Sequence, residues 1–424
     1  MRVWSFGARP TRIWWRAMSE RARIGLLGRG TVGGAFHDLI SSSSDHVVAV
    51  SGRSPEISGV LRRAEGDFDE ILAASDIIVE LIGGTDPARD YVIRALEAGK
   101  HVVTANKQLI AQHGEELCAA ARANGVQIRF EAAVAGVVPA IRVIQESLAA
   151  TEITKVFGIV NGTTNFILTE MARTGASFAE ALALAQELGY AEADPTDDVG
   201  GGDAAAKMAI LARLAFHTPV RLDDVSFEGI TEIRADDMAY AKELGLSLKL
   251  LGVAEMVEGG VSVRVFPCFL YPGHPLAPVE GPFNAVMVEA PAITEITMSG
   301  PGAGGLATAT AVLGDVVSIL AGDAPVHETR RELPIVSDVA SSFYLHLEVA
   351  DRPGVLAAVA DVLGQAGVSV KSMVQRGTAE QARLVMILHE TPERAFYGAL
   401  AELAKLDFMR GDPRAIRVIE EQFV

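Results

Sequence analysis

A run of carboxylates and a single ammonium lie close together in the middle of the chain: Glu192, Asp194, Asp197, Asp198, Asp203 and Lys207. The stretch DPTDDVGGGDAAAKMAI, Asp194 to Ile210, sets a glycine run just ahead of Asp203. If the glycines open a helix there, Asp203 and Lys207 stand four apart and project from one face. A carboxylate and an ammonium one turn apart fix a zwitterionic substrate and hand over a proton. Spacing alone favours the plainer reading, a solvated surface pair worth roughly 0.2–0.5 kcal/mol. The cluster has neither EF-hand spacing nor a partnering histidine, which argues against a divalent metal. Its residue types suit recognition of a substrate ammonium, with Lys207 kept charged among acids as a proton donor.

The scaffold that must position these groups is 424 residues long, enough for two to four domains. Hydrophobic residues at 49% and charged residues at 21% are a globular balance, and a net charge of −17 argues against a nucleic-acid partner. No apolar run is long enough to span a bilayer, so no membrane partner is expected. Two cysteines in unrelated contexts, Cys118 and Cys268, point to a reducing, cytoplasmic setting. Residues 1–18 differ from the rest: they hold Trp4, Trp14, Trp15 and several arginines with no acid. They read as a dispensable, disordered N-terminal extension, because MSERARIGLLG from Met18 resembles a natural start.

From Arg21, RARIGLLGRGTVGGAF is a short apolar strand followed by Gly28, Gly30 and Gly33 in G-x-G-x-x-G spacing. These glycines serve a tight turn, close approach to a pyrophosphate, and helix-on-strand packing; Thr31 and Val32 open the helix whose amides face the phosphates. HVVAVSGRS, 46–54, reads as the next strand. Its end offers Arg53 where an acid would hold a ribose hydroxyl, so Arg53 either pairs with a 2′-phosphate, favouring NADP over NAD, or is a solvated loop arginine. SDIIVELIGG, HVVTANK and VQIRFEAAVAG read as further strands separated by helices, which implies a parallel sheet covered on both faces. Thr104 and Lys107 then sit at a strand's carboxyl end, where such folds bind ligands, although loop lysines are commonly just solvated.

Beyond about Ala149 the pattern becomes strand-rich. TKVFGIVNGTTNFIL reads as a strand followed by a polar turn, Asn161 to Asn165, and the helix SFAEALALAQELG ends at Gly189. GPGAGGLATATAVLGD, from Gly300, is a glycine loop before a small-residue helix. The tail, from FYLHLEVADRPGVLAAVADVL, has β-α-β-β-α-β order, a ferredoxin-like module. The expected fold is therefore multidomain, α/β plus α+β. A Rossmann domain spans 19–148 and is completed by a helix at 303–321. A mixed-sheet catalytic and dimerisation domain spans 149–302, followed by a linker at 322–340 and a ferredoxin-like module at 341–424.

Taken together, GLLGRGTVGGAF, TANK, FEAAVAGVVPAI, NGTTNFIL, ELGYAEADPTDDVGGGDAAAK and GPGAGGLATATAVLGD resemble homoserine dehydrogenase, of the monofunctional type with a C-terminal ACT domain. The resemblance runs from Arg21 to Val424. It implies reversible NAD(P)H-dependent reduction of L-aspartate 4-semialdehyde to L-homoserine in threonine, methionine and isoleucine biosynthesis. It further implies Lys207 as proton donor, Lys107 as a second lysine between cofactor and substrate, and Glu192, Asp203 and nearby Asp198 on the substrate's amino group. Gly28 to Gly33, Gly189 and Gly304 correspond to cofactor-binding positions. Backbone carbonyls around Glu131, Val134, Gly136 and Val138 correspond to a monovalent cation site, usually sodium. A homodimer or homotetramer is implied, and L-threonine feedback through the ACT domain is an expectation, since no asparagine stands near Gly367 to Ser369. The competing readings are another amino-acid oxidoreductase, such as an aspartate dehydrogenase, and a non-catalytic Rossmann–ACT sensor.

Overall fold

A computed structural model describes residues 20–63, 65–322, 331–378 and 381–419. The expected N-terminal extension and residues 323–330 of the expected linker lie outside the described residues. The structure divides into two units. One takes the described chain as far as Ala149 and again from Pro301 to Gly322; the other takes Ala150–Gly300 and what is described from Arg331 onward.

In the first unit, β1 (Glu20–Leu27), β2 (Arg53–Leu61), β3 (Ile77–Glu80), β4 (His101–Thr104) and β5 (Ile128–Arg129) form a parallel sheet in the order β2-β1-β3-β4-β5. The apolar runs of β1, β3 and β4 are buried, as in a parallel sheet covered by helices, while the outer strands β2 and β5 are only half-buried or exposed. Ile24, Leu26, Val79 and Val103 share a core with Ala309, Val312 and Val316 of the helix Gly305–Ala321. That helix follows the second unit's sheet in sequence yet packs on this one.

Two sequence expectations are corrected here. Most of the segment 46–54 is not a strand: Ser44–Ser51 is helical and ends at Gly52, whose φ of 72° is left-handed, and only Arg53 and Ser54 enter β2. Ser44 and Val47 are buried and Val48 and Ser51 half-buried, a helical spacing that the valine pairs disguised. The strand is β2, which tolerates Pro55 because it lies at the sheet edge. Likewise VQIRFEAAVAG keeps only Ile128–Arg129 as strand. It then breaks into a 3₁₀ turn, Glu131–Ala133, and a bend with Ala135 and Gly136 at φ 57° and 65°.

The second unit holds β6 (Lys155–Ile159), β7 (Ser226–Phe227), β8 (Ser247–Val257), β9 (Gly260–Leu270), β10 (Phe283–Ala290), β11 (Thr294–Pro301), β12 (Ala340–Ala350), β13 (Val370–Thr378), β14 (Gln381–Leu388), β15 (Thr391–Pro392) and β16 (Arg414–Ile419). One sheet runs β11-β10-β6-β8-β9-β16-β12-β14-β13, with β7 on β9 and β15 on β12. The tail module has the β-α-β-β-α-β order read from the sequence, and its last long strand, β16, lies parallel to β9. Buried ion pairs reinforce that seam: Arg264 meets Glu255 at 2.6 Å and Glu393 at 2.7 Å, and Arg417 meets Glu393 at 2.8 Å. The described end of the expected linker is pinned rather than loose, since Val261 donates to Pro334 O and Val336 donates to Val261 O, both at 2.8 Å. No helix among the described residues is long and apolar enough to cross a membrane.

Candidate active site

The acidic stretch folds around two helix starts. Thr196–Val199 is a single turn, and Gly202–Phe216 is a buried, alanine-rich helix whose first turn carries Asp203, where a carboxylate is favoured by the helix dipole. Gly201 caps it at φ 91°, and a Cβ there would lie 3.0 Å from Glu228 O. The missing side chain lets the segment seat against residues 228–230, where Ile230 donates to Val199 O at 2.9 Å. The glycine run is thus a packed seat for the helix.

The second start corrects another expectation: the polar turn expected at Asn161–Asn165 is the first turn of a helix. Asn161 is the N-cap of the helix Gly162–Thr174, its Oδ1 accepting from Thr164 N at 2.8 Å. That leaves its Nδ2 to donate to Asp198 Oδ1 at 2.7 Å and Asp203 Oδ2 at 2.9 Å. Lys207, one turn along from Asp203, donates to the same Oδ2 at 2.6 Å and to Val160 O at 2.7 Å. Asp203 is 2% exposed, so this is a buried pair and not the solvated one that spacing alone favoured. Asn284 is buried beside them, its Nδ2 reaching Val160 O at 3.3 Å. The structure thus gathers Asp198, Asp203 and Lys207 around Asn161. Glu192 is not drawn in: it is exposed in the loop after Gly189, and among the described residues only its backbone carbonyl is held, by Gln186. Gly189 ends the helix Phe178–Glu187 at φ 76°.

The first unit carries the dinucleotide-type loop. Gly28 has φ 95° and donates to Leu61 O at 2.9 Å, while a Cβ on Gly33 would lie 2.1 Å from Gly28 O. Only glycine permits that closeness, so loop and helix Thr31–Ser42 form the cradle that presents amides to a pyrophosphate. Gly30 ahead of Thr31 and Val32 faces open space, and Gly304, φ 115°, starts the helix Gly305–Ala321, whose Gly305 packs on Thr31. At the ends of β3 and β4, buried Glu80 accepts from Ile82 N at 2.7 Å and from Thr104 Oγ1 at 2.6 Å. Thr104 in turn accepts from Asn106 N at 3.0 Å, and Asn106 caps the helix that Lys107 opens.

Arg53 is a correction. It lies at the amino end of β2, beside Glu20 at 3.2 Å, at the opposite end of the strand from Leu61 and the glycine loop. With β2 displaced from the expected segment, the residues beyond its carboxyl end are Arg62 and Arg63.

Glu131, Val134, Gly136 and Val138 are all buried, with Val137 half-buried among them, and Ala135 and Gly136 make a left-handed turn in their midst. Both carboxylate oxygens of Glu131 are committed, to Ile141 N at 2.9 Å and Arg142 N at 2.8 Å. Among the described residues no hydrogen bond reaches the carbonyls of Val134 and Gly136. Buried oxygens of this kind fit an unsolvated monovalent cation. Burial, then the nearby Asp315, pushes Glu131 up to about 7; burial pushes Asp315 up to about 6.

Sequence reasoning gave no role to Glu80 or Asn284 and read Asn161 only as the start of a polar turn. Asn-Gly ahead of a helix signalled a cap, but its second task depends on a helix some forty residues later.

Residues 139–317 match the sequence model of the homoserine dehydrogenase family, residues 28–131 its NAD-binding domain, and residues 344–408 the ACT domain. The homoserine dehydrogenase of Corynebacterium glutamicum is 44% identical, over 87% of this chain and 89% of that protein. This chain belongs to the homoserine dehydrogenase family. That of Bacillus subtilis is 39% identical over 93% of this chain and 98% of its own length. A crystal structure of the Thiobacillus denitrificans homoserine dehydrogenase superposes with a TM-score of 0.91 at 37% identity, covering 95% of this chain and 99% of that one. A hyperthermophilic archaeal homoserine dehydrogenase in complex with NADPH superposes at 0.62 with 27% identity, over 72% of this chain and all of that one. As a homoserine dehydrogenase the chain is an oxidoreductase with a nicotinamide cofactor, acting on L-homoserine and L-aspartate 4-semialdehyde.

Proposed function

We propose that Lys207 is the proton donor in the reduction of L-aspartate 4-semialdehyde, and that Asp203, Asp198 and Glu192 receive the substrate's amino group. The observation that carries this is the seat of Lys207. An ammonium has three N–H donors; Asp203 and Val160 O take two, leaving one for an aldehyde oxygen. A bound nicotinamide supplies the hydride. As charge builds on the substrate oxygen, Nζ stabilises it and then gives up its proton. In the reverse direction Lys207 accepts the proton of the alcohol.

Five further assignments belong to this reading. Lys107, at the head of its helix beyond β4, is the second lysine toward the cofactor. The carbonyls of Val134 and Gly136, with those of Glu131 and Val138, hold a monovalent cation, sodium by preference. L-Threonine binds the ACT module at a hollow of about 360 Å³ lined by Asp351, Arg352, Gly354, Gln375 and Leu384. Pairing of copies into a homodimer or homotetramer is supported by β13, a sheet edge that leaves Met373 and Val374 uncovered. A cytoplasmic setting is supported by Cys118 and Cys268, both buried and in no disulfide among the described residues.

Substrate recognition is tested by comparing L-aspartate 4-semialdehyde with succinic semialdehyde, which lacks the amino group, in wild type and Asp203→Asn. Wild type is expected to prefer the amino acid by at least a hundredfold in kcat/KM, and the variant to lose most of that preference. Equal preference in both proteins contradicts the assignment.

A further inference from the structure

We propose that Glu80 and Thr104 are positioning residues for hydride transfer: they lock together two turns at the nicotinamide end of the parallel sheet and so set where Lys107 stands. This rests on the reading of Lys107 given above and adds what holds that lysine in place.

Strand order gives the location. β1 lies between β2 and β3, so the crevice that a dinucleotide crosses opens beyond their carboxyl ends. β2 serves the adenosine half of such a crevice, which leaves the ends of β3 and β4 for the nicotinamide half. Two turns stand there. Residues 81–84 follow β3, with Gly83 and Gly84 at φ 82° and 70°; residues 105–106 follow β4 and run into the helix Lys107–Ala123. The first turn also backs the phosphate loop, since Leu81 N donates to Leu27 O at 2.7 Å and a Cβ on Gly28 would lie 2.6 Å from Leu81 O.

Glu80, fully buried at the end of β3, serves both turns with one carboxylate. Its Oε1 accepts from Ile82 N at 2.7 Å and Gly83 N at 3.2 Å, while its Oε2 accepts from Thr104 Oγ1 at 2.6 Å. Thr104 is fully buried as well, and its hydroxyl passes the contact on by accepting from Asn106 N at 3.0 Å. Asn106 closes the ring: its Nδ2 donates back to Gly84 O at 2.5 Å, and its Oδ1 accepts from Leu109 N at 3.1 Å to cap the helix.

A buried carboxylate is costly unless it is hydrogen-bonded, and an apolar pair would fill the same space at less cost. Only the carboxylate–hydroxyl pair joins one turn to the other. Thr104, with its hydroxyl donating on one side and accepting on the other, acts on the cofactor through Asn106 and Lys107 and not by contact.

The test is a double-mutant cycle on the full chain, reading the rate of L-aspartate 4-semialdehyde reduction by NADPH. Single turnovers with enzyme in excess keep slow variants measurable. Thr104→Val, which keeps the shape and removes the hydroxyl, should lower the rate about ten- to a hundredfold, the scale of a small misplacement of a reacting group. Thr104→Ser should recover to within about threefold of wild type, because the hydroxyl is what matters. In a Lys107→Ala background the same Thr104→Val change should cost less than about twofold, because residues acting through one another are not additive. Equal fold-losses in both backgrounds, a serine variant no better than valine, or an unimpaired Thr104→Val would each overturn the proposal. If Thr104→Val misfolds, as read from its thermal midpoint, Glu80→Gln carries the same cycle, since an amide has one acceptor oxygen where the carboxylate has two. Failure of the underlying reading is distinguishable: Lys107→Ala alone would then react at the wild-type rate, whereas an impaired Lys107→Ala with equal fold-losses overturns the clamp alone.

Discussion

Asn161 and Lys207 converge on one atom: Oδ2 of Asp203 accepts from Asn161 Nδ2 at 2.9 Å and from Lys207 Nζ at 2.6 Å. The same Asn161 side chain caps the helix Gly162–Thr174 through its Oδ1. Helix capping and site alignment are thus combined in one amide, with the oxygen serving the backbone and the nitrogen serving the acids.

Those two tasks separate by substitution. Asn161→Asp keeps a capping oxygen but removes the donor and sets a third carboxylate beside Asp198 and Asp203. It is expected to keep the thermal midpoint to within a few degrees of Asn161→Ala or better while lowering kcat at least tenfold. Asn161→Ala should also lose about 1 kcal/mol of stability with its cap. Thermal melts beside steady-state kinetics decide it; full activity in Asn161→Asp would remove the donor from the account.

Gly201→Ala forces a left-handed φ on alanine and brings a Cβ to 3.0 Å from Glu228 O. The backbone penalty alone is about 1–2 kcal/mol. Because Asp203 and Lys207 lie on the helix this residue starts, kcat/KM should fall together with stability. Denaturant unfolding with parallel assays checks both, and an unaltered unfolding midpoint would contradict the packed-seat description.

Lys249 is buried, donating to Asn165 Oδ1 at 3.3 Å and to Val279 O. Burial pulls its pKa down to about 8 from 10.5, partly offset by Glu280. Between those values the folded state binds fewer protons than the unfolded state, so this group's contribution to stability rises with pH and is lost as pH falls through about 8. Wild type should therefore gain on Lys249→Met by roughly 2 kcal/mol between pH 8 and pH 10 in denaturant unfolding. A difference that is flat over that range would show that Lys249 does not titrate within the fold.

Replacing sodium by N-methylglucamine at constant ionic strength should lower both the thermal midpoint and turnover, since the carbonyls of Val134 and Gly136 would lose the cation proposed for them. Restoring sodium should recover both. Identical melts in the two buffers would remove the cation from the account.

Much of the architecture was readable because it rests on local pattern. Glycine spacing marked the phosphate loop, alternating apolar runs marked the parallel sheet, and Asp203 and Lys207 stood four apart on a helix that does form. What was misread depended on partners distant in sequence. HVVAV has the composition of a strand, but Gly52 and the burial of Val47 make it a helix, while β2 is built from a segment containing Pro55 and Gly59 that an edge position tolerates. The misplaced strand carried Arg53 with it. Of the acids proposed for the substrate's amino group, Asp198 and Asp203 meet at Asn161, while the side chain of Glu192 stays exposed in the loop after Gly189.

The central claim is that Lys207 gives its proton to the substrate oxygen. The direct measurement is kcat for L-aspartate 4-semialdehyde reduction with NADPH in wild type and Lys207→Ala across pH 6 to 9, with NADPH affinity measured alongside. The account predicts a fall of about 10²–10⁴-fold in kcat with NADPH binding unchanged. A variant that keeps kcat to within about fivefold of wild type, with the same pH profile, would contradict it.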